Sequence, residues 1–400
     1  MFNQTFSQRS RVKMFDRTKP NVKTFQKFFN YHKRILIQSQ IFGLVSFTCT
    51  NQHFRSSKRQ KLWIVALILI YLSLTGYVIY AHFRGQVEKD TIPKISNIII
   101  LSCCSLYVST IWLTSFFNGE KIGDFLQKVV IFDDKVQLES ARYHKTQKRI
   151  LVHMVGRFVF LTFYISYFLF MDFATKTVVI ILTESCAYVL LVMNSVMCHQ
   201  AGELILMLRD RFKVLNKSLD VLIRHYSSNI NVILKKKPPL MALNTICTLH
   251  HHLSKLIKIF NEIFGVVLLF MFGVSFIVIV LALFFTSGEL QRPGGIKWLD
   301  VFYMLMTCVS FVIDTVYMCD VCYSTIQEAS KSGELIHKIE TEEHDLIDEI
   351  EMFSLQIANE QVEFNAAGFF PINYTLVFSI IGGVTTYIII LIQLSATLRE

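Results

Sequence analysis

Seven stretches of this sequence are apolar over lengths that cross a lipid bilayer: about 62 to 83, 96 to 118, 150 to 171, 178 to 199, 263 to 286, 298 to 322 and 373 to 396. Each reaches the roughly 20 residues that a helix needs to span the hydrocarbon core. The backbone of such a segment has no water to bond to, so it must satisfy its own polar groups as helix. An all-α membrane protein with seven transmembrane helices is the expected fold. Composition agrees: 52% of the residues are apolar, with 35 Phe and 15 Tyr.

A formal net charge of +10 raises the question of nucleic acid, but the charge is segregated by loop. Lys and Arg number 13 before the first span, 7 between the second and third, 10 between the fourth and fifth, and 2 between the sixth and seventh. The intervening loops and the carboxyl end hold 3, 1, 2 and 1. Cytoplasmic loops retain the basic excess, so the amino terminus is expected inside, the carboxyl terminus outside, and membrane lipid rather than nucleic acid as the charged partner. The first 61 residues are too polar for a signal peptide, and the long spans after them argue against a mitochondrial presequence. A G-protein-coupled receptor also has seven spans but carries its amino terminus outside. None of the nine Cys lies in the short outer loops 84–95, 172–177 and 287–297, so no extracellular disulfide is available there. The Asn-x-Ser/Thr triplets at Asn3, Asn216 and Asn373 fall on the inner side and should be unglycosylated.

The chain divides into a basic cytoplasmic segment (1–61), helices one to four (62–199), a cytoplasmic extension of helices four and five (200–258), helices five and six (259–323), an acidic anchor helix (324–372) and the last helix (373–396). An apolar-aromatic patch from Phe25 to Phe47 fits either an amphipathic helix on the inner membrane face or a helix packed on the body of the protein. Outer loops this short leave no extracellular domain, so an external ligand must bind between the helices. Ile205, Leu208, Phe212, Leu215, Leu219 and Leu222 form a helical stripe that carries the fourth span into the cytoplasm, with a break at 227–239. Three consecutive histidines, His250, His251 and His252, point in different directions on a helix and read as a solvated face, not a metal site. Between 324 and 370, acidic residues accompany an apolar stripe (Ile336, Ile339, Leu346, Ile350, Phe353, Ile357), a helix built to pack on the basic helices around Arg209 to Arg224 and Lys255 to Lys258.

No nucleophile elbow, phosphate loop, paired metal-ligand spacing or dinucleotide fingerprint occurs, so the expectation is a protein that is not an enzyme and needs no cofactor. Cys319 and Cys322 read as small packing residues, and Asp210-Arg211-Phe212 as a chance likeness to the acidic-Arg-aromatic triplet of G-protein-coupled receptors. Charges within spans are costly unless paired or wetted, which singles out Arg157, Glu184, Glu262, Asp314 and Asp320. In the outer halves of the helices, Tyr164, Tyr167, Thr183, Glu184, Tyr188, Trp298 and Tyr303 supply aromatic walls with a few polar groups, as a small-molecule pocket requires. An interfacial aromatic belt with helix–helix hydrogen bonds would use many of the same residues.

The last span ends on one amide, Gln393. It either joins two helices by hydrogen bonding or faces an aqueous pore. Thr386-Tyr387, five apolar residues and Gln393-Leu394 closely resemble the signature of insect gustatory receptors, Thr-Tyr, five hydrophobics, Gln-Phe; the run Ala366-Ala367-Gly368-Phe369-Phe370 upstream is similar too. Leu394 departs from the usual Phe. The resemblance covers roughly 30 residues. It implies a ligand-gated, nonselective cation channel for a small-molecule tastant, a homo- or heterotetramer related to insect odorant receptors, in the plasma membrane of sensory neurons. Within it, Gln393 would line the pore, with Ile390, Ile389 and Thr386 on or beside its face, while Tyr387 and Leu394 serve packing. An aromatic pocket poor in amides leans toward bitter or other moderately apolar ligands over sugars. A G-protein-coupled receptor is the alternative reading, and a transporter the second, disfavoured because no internal repeat is visible.

Overall fold

The computed structural model describes residues 20–50, 53–85, 91–138, 140–172, 178–227, 239–291, 295–360 and 362–397. Helix α1, Val22–Ile41, starts where the Asn21 side chain accepts the Lys23 N–H at 3.0 Å. Its apolar face buries Phe25, Phe28 and Ile35. Thr24 and the Asn21 N–H both donate to Asp134, which fixes α1 on the body of the protein. This covers much of the apolar face with protein, as the second reading of the Phe25–Phe47 patch expects, while Ile37 and Ile41 stay exposed. A hairpin of β1, Phe47–Thr50, and β2, His53–Ser56, follows in antiparallel register. This hairpin is a departure from the all-α expectation, and short aromatic and β-branched runs explain it.

The rest is helical: α2 Lys58–Phe83, α3 Thr91–Val136, α4 Ser140–Asp172, α5 Val178–Ser227, α6 Pro239–Leu290, α7 Trp298–Ile336, α8 His344–Asn359 and α9 Tyr374–Thr397. Among the described residues, α2, α3, α5, α6, α7 and α9 are long and apolar enough to cross a membrane. The other predicted span, 150–171, is unbroken helix within α4. Helices α5, α6 and α7 form the centre, with α3 against α6 and α2 against α3. Helix α4 lies at the edge, on α1 and α5, and α9 rests on α6 and α7.

The stripe Ile205, Leu208, Phe212, Leu215 and Leu219 is fully buried, so α5 continues far beyond any bilayer as a core helix. Helix α8 buries Leu346 and Phe353 against α6 and α7. Polar contacts there include Asn244 Nδ2 to Glu349 (3.0 Å), Cys247 Sγ to Gln356 (2.9 Å) and His251 with Glu360. The histidine triplet differs from the solvated face expected of it. His250 and His252 are buried, His250 between the Phe212 and Phe353 rings, because this part of α6 is enclosed on several sides. The divergent directions hold; the solvation does not.

Candidate functional site

The segment into α9 is a packed turn. Phe364, Ala366 and Ile372 are buried, Phe364 against Phe260 and the half-buried Phe370 against Phe272. Ala367 and Gly368 take positive φ of 52° and 79°, and a side chain on Gly265 of α6 would stand 2.8 Å from the Ala367 nitrogen. Asn373 then caps α9, accepting the Thr375 N–H at 2.9 Å.

Thr386, Ile389, Ile390 and Gln393 share one face of α9, and all are exposed. Ile389 and Ile390 are 51% and 49% exposed, and Phe378 is 72% exposed. Thr386 turns its hydroxyl back to the Gly382 carbonyl at 3.0 Å, which lowers its polarity toward the surroundings. Tyr387 meets Phe276 of α6 edge to face at 5.7 Å, and Tyr374 donates to Asp320 at 2.6 Å. The Leu394 side chain lies outside the described residues.

Of the candidate ligand residues, three come together. The Tyr164 ring lies 4.9 Å from that of Tyr303 and 6.1 Å from that of Tyr188, and its hydroxyl meets Thr307 at 2.9 Å. Tyr188 donates to the Leu161 carbonyl at 3.4 Å. Thr183 is hydrogen-bonded to His82 of α2 at 3.1 Å, and Glu184 follows it, half-buried. Trp298, 66% exposed at the first turn of α7, stands apart. The Tyr167 side chain lies outside the described residues.

The charges placed within spans resolve mostly into pairs. Arg157 meets Asp314 at 3.0 Å; Asp314 accepts from Asn194 at 2.8 Å, which accepts from Tyr107 at 2.9 Å. Arg157 also donates to the Ser195 hydroxyl at 2.7 Å and lies over the Tyr317 ring. Glu262 is largely exposed at the start of its predicted span, 4.0 Å from Lys121.

Two further charge sites escaped the sequence reading. Arg149 binds Glu203 at 3.0 Å and Asp210 at 3.1 Å. Arg211 forks onto Asp133 at 2.6 and 2.9 Å, and Tyr143 donates to the same carboxylate at 2.6 Å. Asp210 and Arg211 thus serve as structural ion-pair partners in this fold. A signal was present: Arg211 lies three residues after Leu208 and four before Leu215, on the buried stripe. The Cys319 and Cys322 thiols are both fully buried among apolar side chains, in keeping with packing.

The fold matches the insect olfactory receptor OR5 from Machilis hrabei, solved in complex with eugenol, at a TM-score of 0.69 over 92% of this chain and 99% of that one, with 13% identity. Putative gustatory receptor 28b of Drosophila melanogaster is 23% identical over 361 residues, 83% of this chain and 76% of the relative. Gustatory receptor 68a of the same fly is 22% identical over 383 residues, 89% and 93% of the two chains. Residues 32–397 match the family model described as 7tm chemosensory receptor, and the chain belongs to that family, among the gustatory receptors of insects.

Proposed function

We propose that this receptor is a ligand-gated, nonselective cation channel that detects small-molecule tastants at the plasma membrane of sensory neurons. Four subunits, identical or mixed with other gustatory receptors, would each contribute α9 to a central pore. The chain would cross the membrane seven times, amino terminus inside and carboxyl terminus outside. One observation carries the reading: α9 is a capped, apolar helix anchored at its first turn and at Tyr387, yet its Thr386, Ile389 and Ile390 side chains are exposed on one face of the subunit. Apolar rings gate by dewetting, and amide dipoles suit a hydrated cation.

The ligand would enter from outside and lie against Tyr164, Tyr188 and Tyr303, with Thr183 and Glu184 offering polar contacts. Aromatic walls with few amides favour bitter or other moderately apolar molecules over sugars. Expression alone and with other gustatory receptors, under tastant application and voltage clamp, tests the proposal. Currents should appear, and Gln393→Ala or Ile390→Ala should change permeation or gating. Currents indifferent to both substitutions would remove α9 from the pore. Tags on each terminus, probed in unpermeabilised cells, test the orientation; an external amino terminus would favour a G-protein-coupled receptor.

A further inference from the structure

Along the inner part of the α4–α5 contact, polar residues recur every four positions on both helices. Arg157 meets Ser195, His153 faces His199, and Arg149 binds Glu203. The middle rung differs from its neighbours. His199 is completely buried, yet neither ring nitrogen has a hydrogen-bond partner. A buried imidazole without partners carries a desolvation cost that native structures rarely tolerate without a reason. Its ring lies 6.1 Å from that of the half-buried His153, and one ligand atom each of His153, His199 and Glu203 fall within 4.8 Å of one another.

We propose that His153, His199 and Glu203 bind a divalent transition-metal ion of the zinc class, which staples α4 to α5. Two imidazoles and a carboxylate form a donor set that zinc uses, at about 2.0–2.2 Å per bond. At tetrahedral angles two such bonds set their ligand atoms about 3.3–3.6 Å apart, so atoms that lie within 4.8 Å of one another need to close by up to about 1.5 Å. His153 has the freedom to supply that movement at the rim. The outer partners are in place: Arg149 holds the Glu203 carboxylate at 3.0 Å, and hydrogen-bonded ligating carboxylates are the rule. Tyr317, whose hydroxyl is buried without a partner, has its ring 5.6 Å from His153. Gly202, next to Glu203, leaves room for that hydroxyl, since a Cβ there would lie 2.6 Å from it.

Electrostatics allow the ion. Arg149, Arg157 and Arg209 are matched by three carboxylates, Glu203, Asp210 and Asp314, so the surroundings carry no excess positive charge. The partly exposed rim at Arg149 and His153 provides the entry path.

The test uses full-length protein in detergent, without an oligohistidine tag, stripped with chelator, dialysed and titrated with Co2+ and then Zn2+. The expected result is one equivalent bound per chain, a four-coordinate Co2+ absorption, and displacement by Zn2+. His153→Ala, at the rim, should weaken binding at least ~10-fold, the lower bound for losing even an outer partner of a metal site. His199→Ala should do the same; if its buried cavity prevents folding, His153→Ala and the wild-type titration decide. Failure of the stripped wild type to bind either metal would overturn the site. So would stoichiometric binding unchanged in His153→Ala, which would place the ion elsewhere on the chain. Neither readout depends on channel activity.

Discussion

Substituting Asp133 by Ala tests how much of this fold depends on one buried ion pair. The Arg211 guanidinium is 2% exposed and uses its fork on Asp133, at 2.6 and 2.9 Å, with a third bond to the Met207 carbonyl at 3.0 Å. Removing the carboxylate leaves a charge inside an apolar enclosure, and also orphans the Tyr143 hydroxyl. Breaking a buried pair on one side costs about 3–5 kcal/mol. At about 1.4 kcal/mol per decade, that is roughly a 10²–10⁴-fold loss in the ratio of folded to unfolded protein. Receptors in detergent unfold irreversibly, so the assay is the fraction still monodisperse by size-exclusion chromatography after graded heating. Asp133→Ala should be lost at far lower temperature than wild type. The triple variant Asp133→Leu, Arg211→Met, Tyr143→Phe removes both partners and the orphan, and should recover most of the deficit, because apolar replacements of whole buried pairs are often neutral. If Asp133→Ala survives heating like wild type, Arg211 finds water or another acceptor and the reasoning fails.

Two further perturbations use the same assay. His32 is buried in α1 with Nδ1 on the Phe28 carbonyl at 2.8 Å, and burial lowers its pKa from 6.5 to about 3. A depressed histidine pKa stabilises the fold fully above pH 6.5 and loses that contribution as the pH falls from 6.5 toward 3; one unit down, at pH 5.5, the loss is about 1.4 kcal/mol. Acidification from pH 7.5 to 5.5 should therefore lower heat survival, and His32→Phe should reduce that dependence; an equal slope in both proteins contradicts the assignment. Gly265→Ala would press a methyl to 2.8 Å from the Ala367 backbone nitrogen, at about 1–3 kcal/mol. Gly273→Ala, with open space around it, serves as the neutral control; indistinguishable variants would mean that the turn before α9 moves freely.

What was legible in the sequence follows from the range of the interactions involved. Apolar stripes are local, so Phe212, Leu215 and Leu219, or Leu346 and Phe353, announced their burial through spacing alone. The motif at the end of the chain likewise placed Thr386, Ile389, Ile390 and Gln393 on one face because a single helix fixes their relation. The tyrosine cluster was half legible. Amphipathic aromatics in neighbouring spans pointed to Tyr164, Tyr188 and Tyr303, but nothing local kept Trp298 away from them. Long-range polar pairs were not legible one by one. Asp133 and Arg211 are 78 residues apart, Arg157 and Ser195 38, and no motif joins residues at such separations. The histidine triplet misled for the related reason that an ionisable residue signals exposure only where no other helix packs on it.

The polar rungs between α4 and α5 add something that neither helix shows alone. A helix at the edge of a membrane bundle gains little from apolar contact, because lipid is as apolar as leucine, and its height is otherwise weakly specified. Here Arg149, His153 and Arg157 project at four-residue intervals toward Glu203, His199 and Ser195. A slide of one turn, about 5.4 Å, would bring Arg157 opposite Leu191 in one direction and opposite His199 in the other. Either shift takes its guanidinium away from Ser195 and Asp314, at a depth where unpaired charge is expensive. The ladder therefore defines one register for α4. It also fixes the height of Tyr164, seven residues beyond Arg157, against Tyr188 and Tyr303. The aromatic cluster thus takes its geometry from charges roughly two turns away on the same helix.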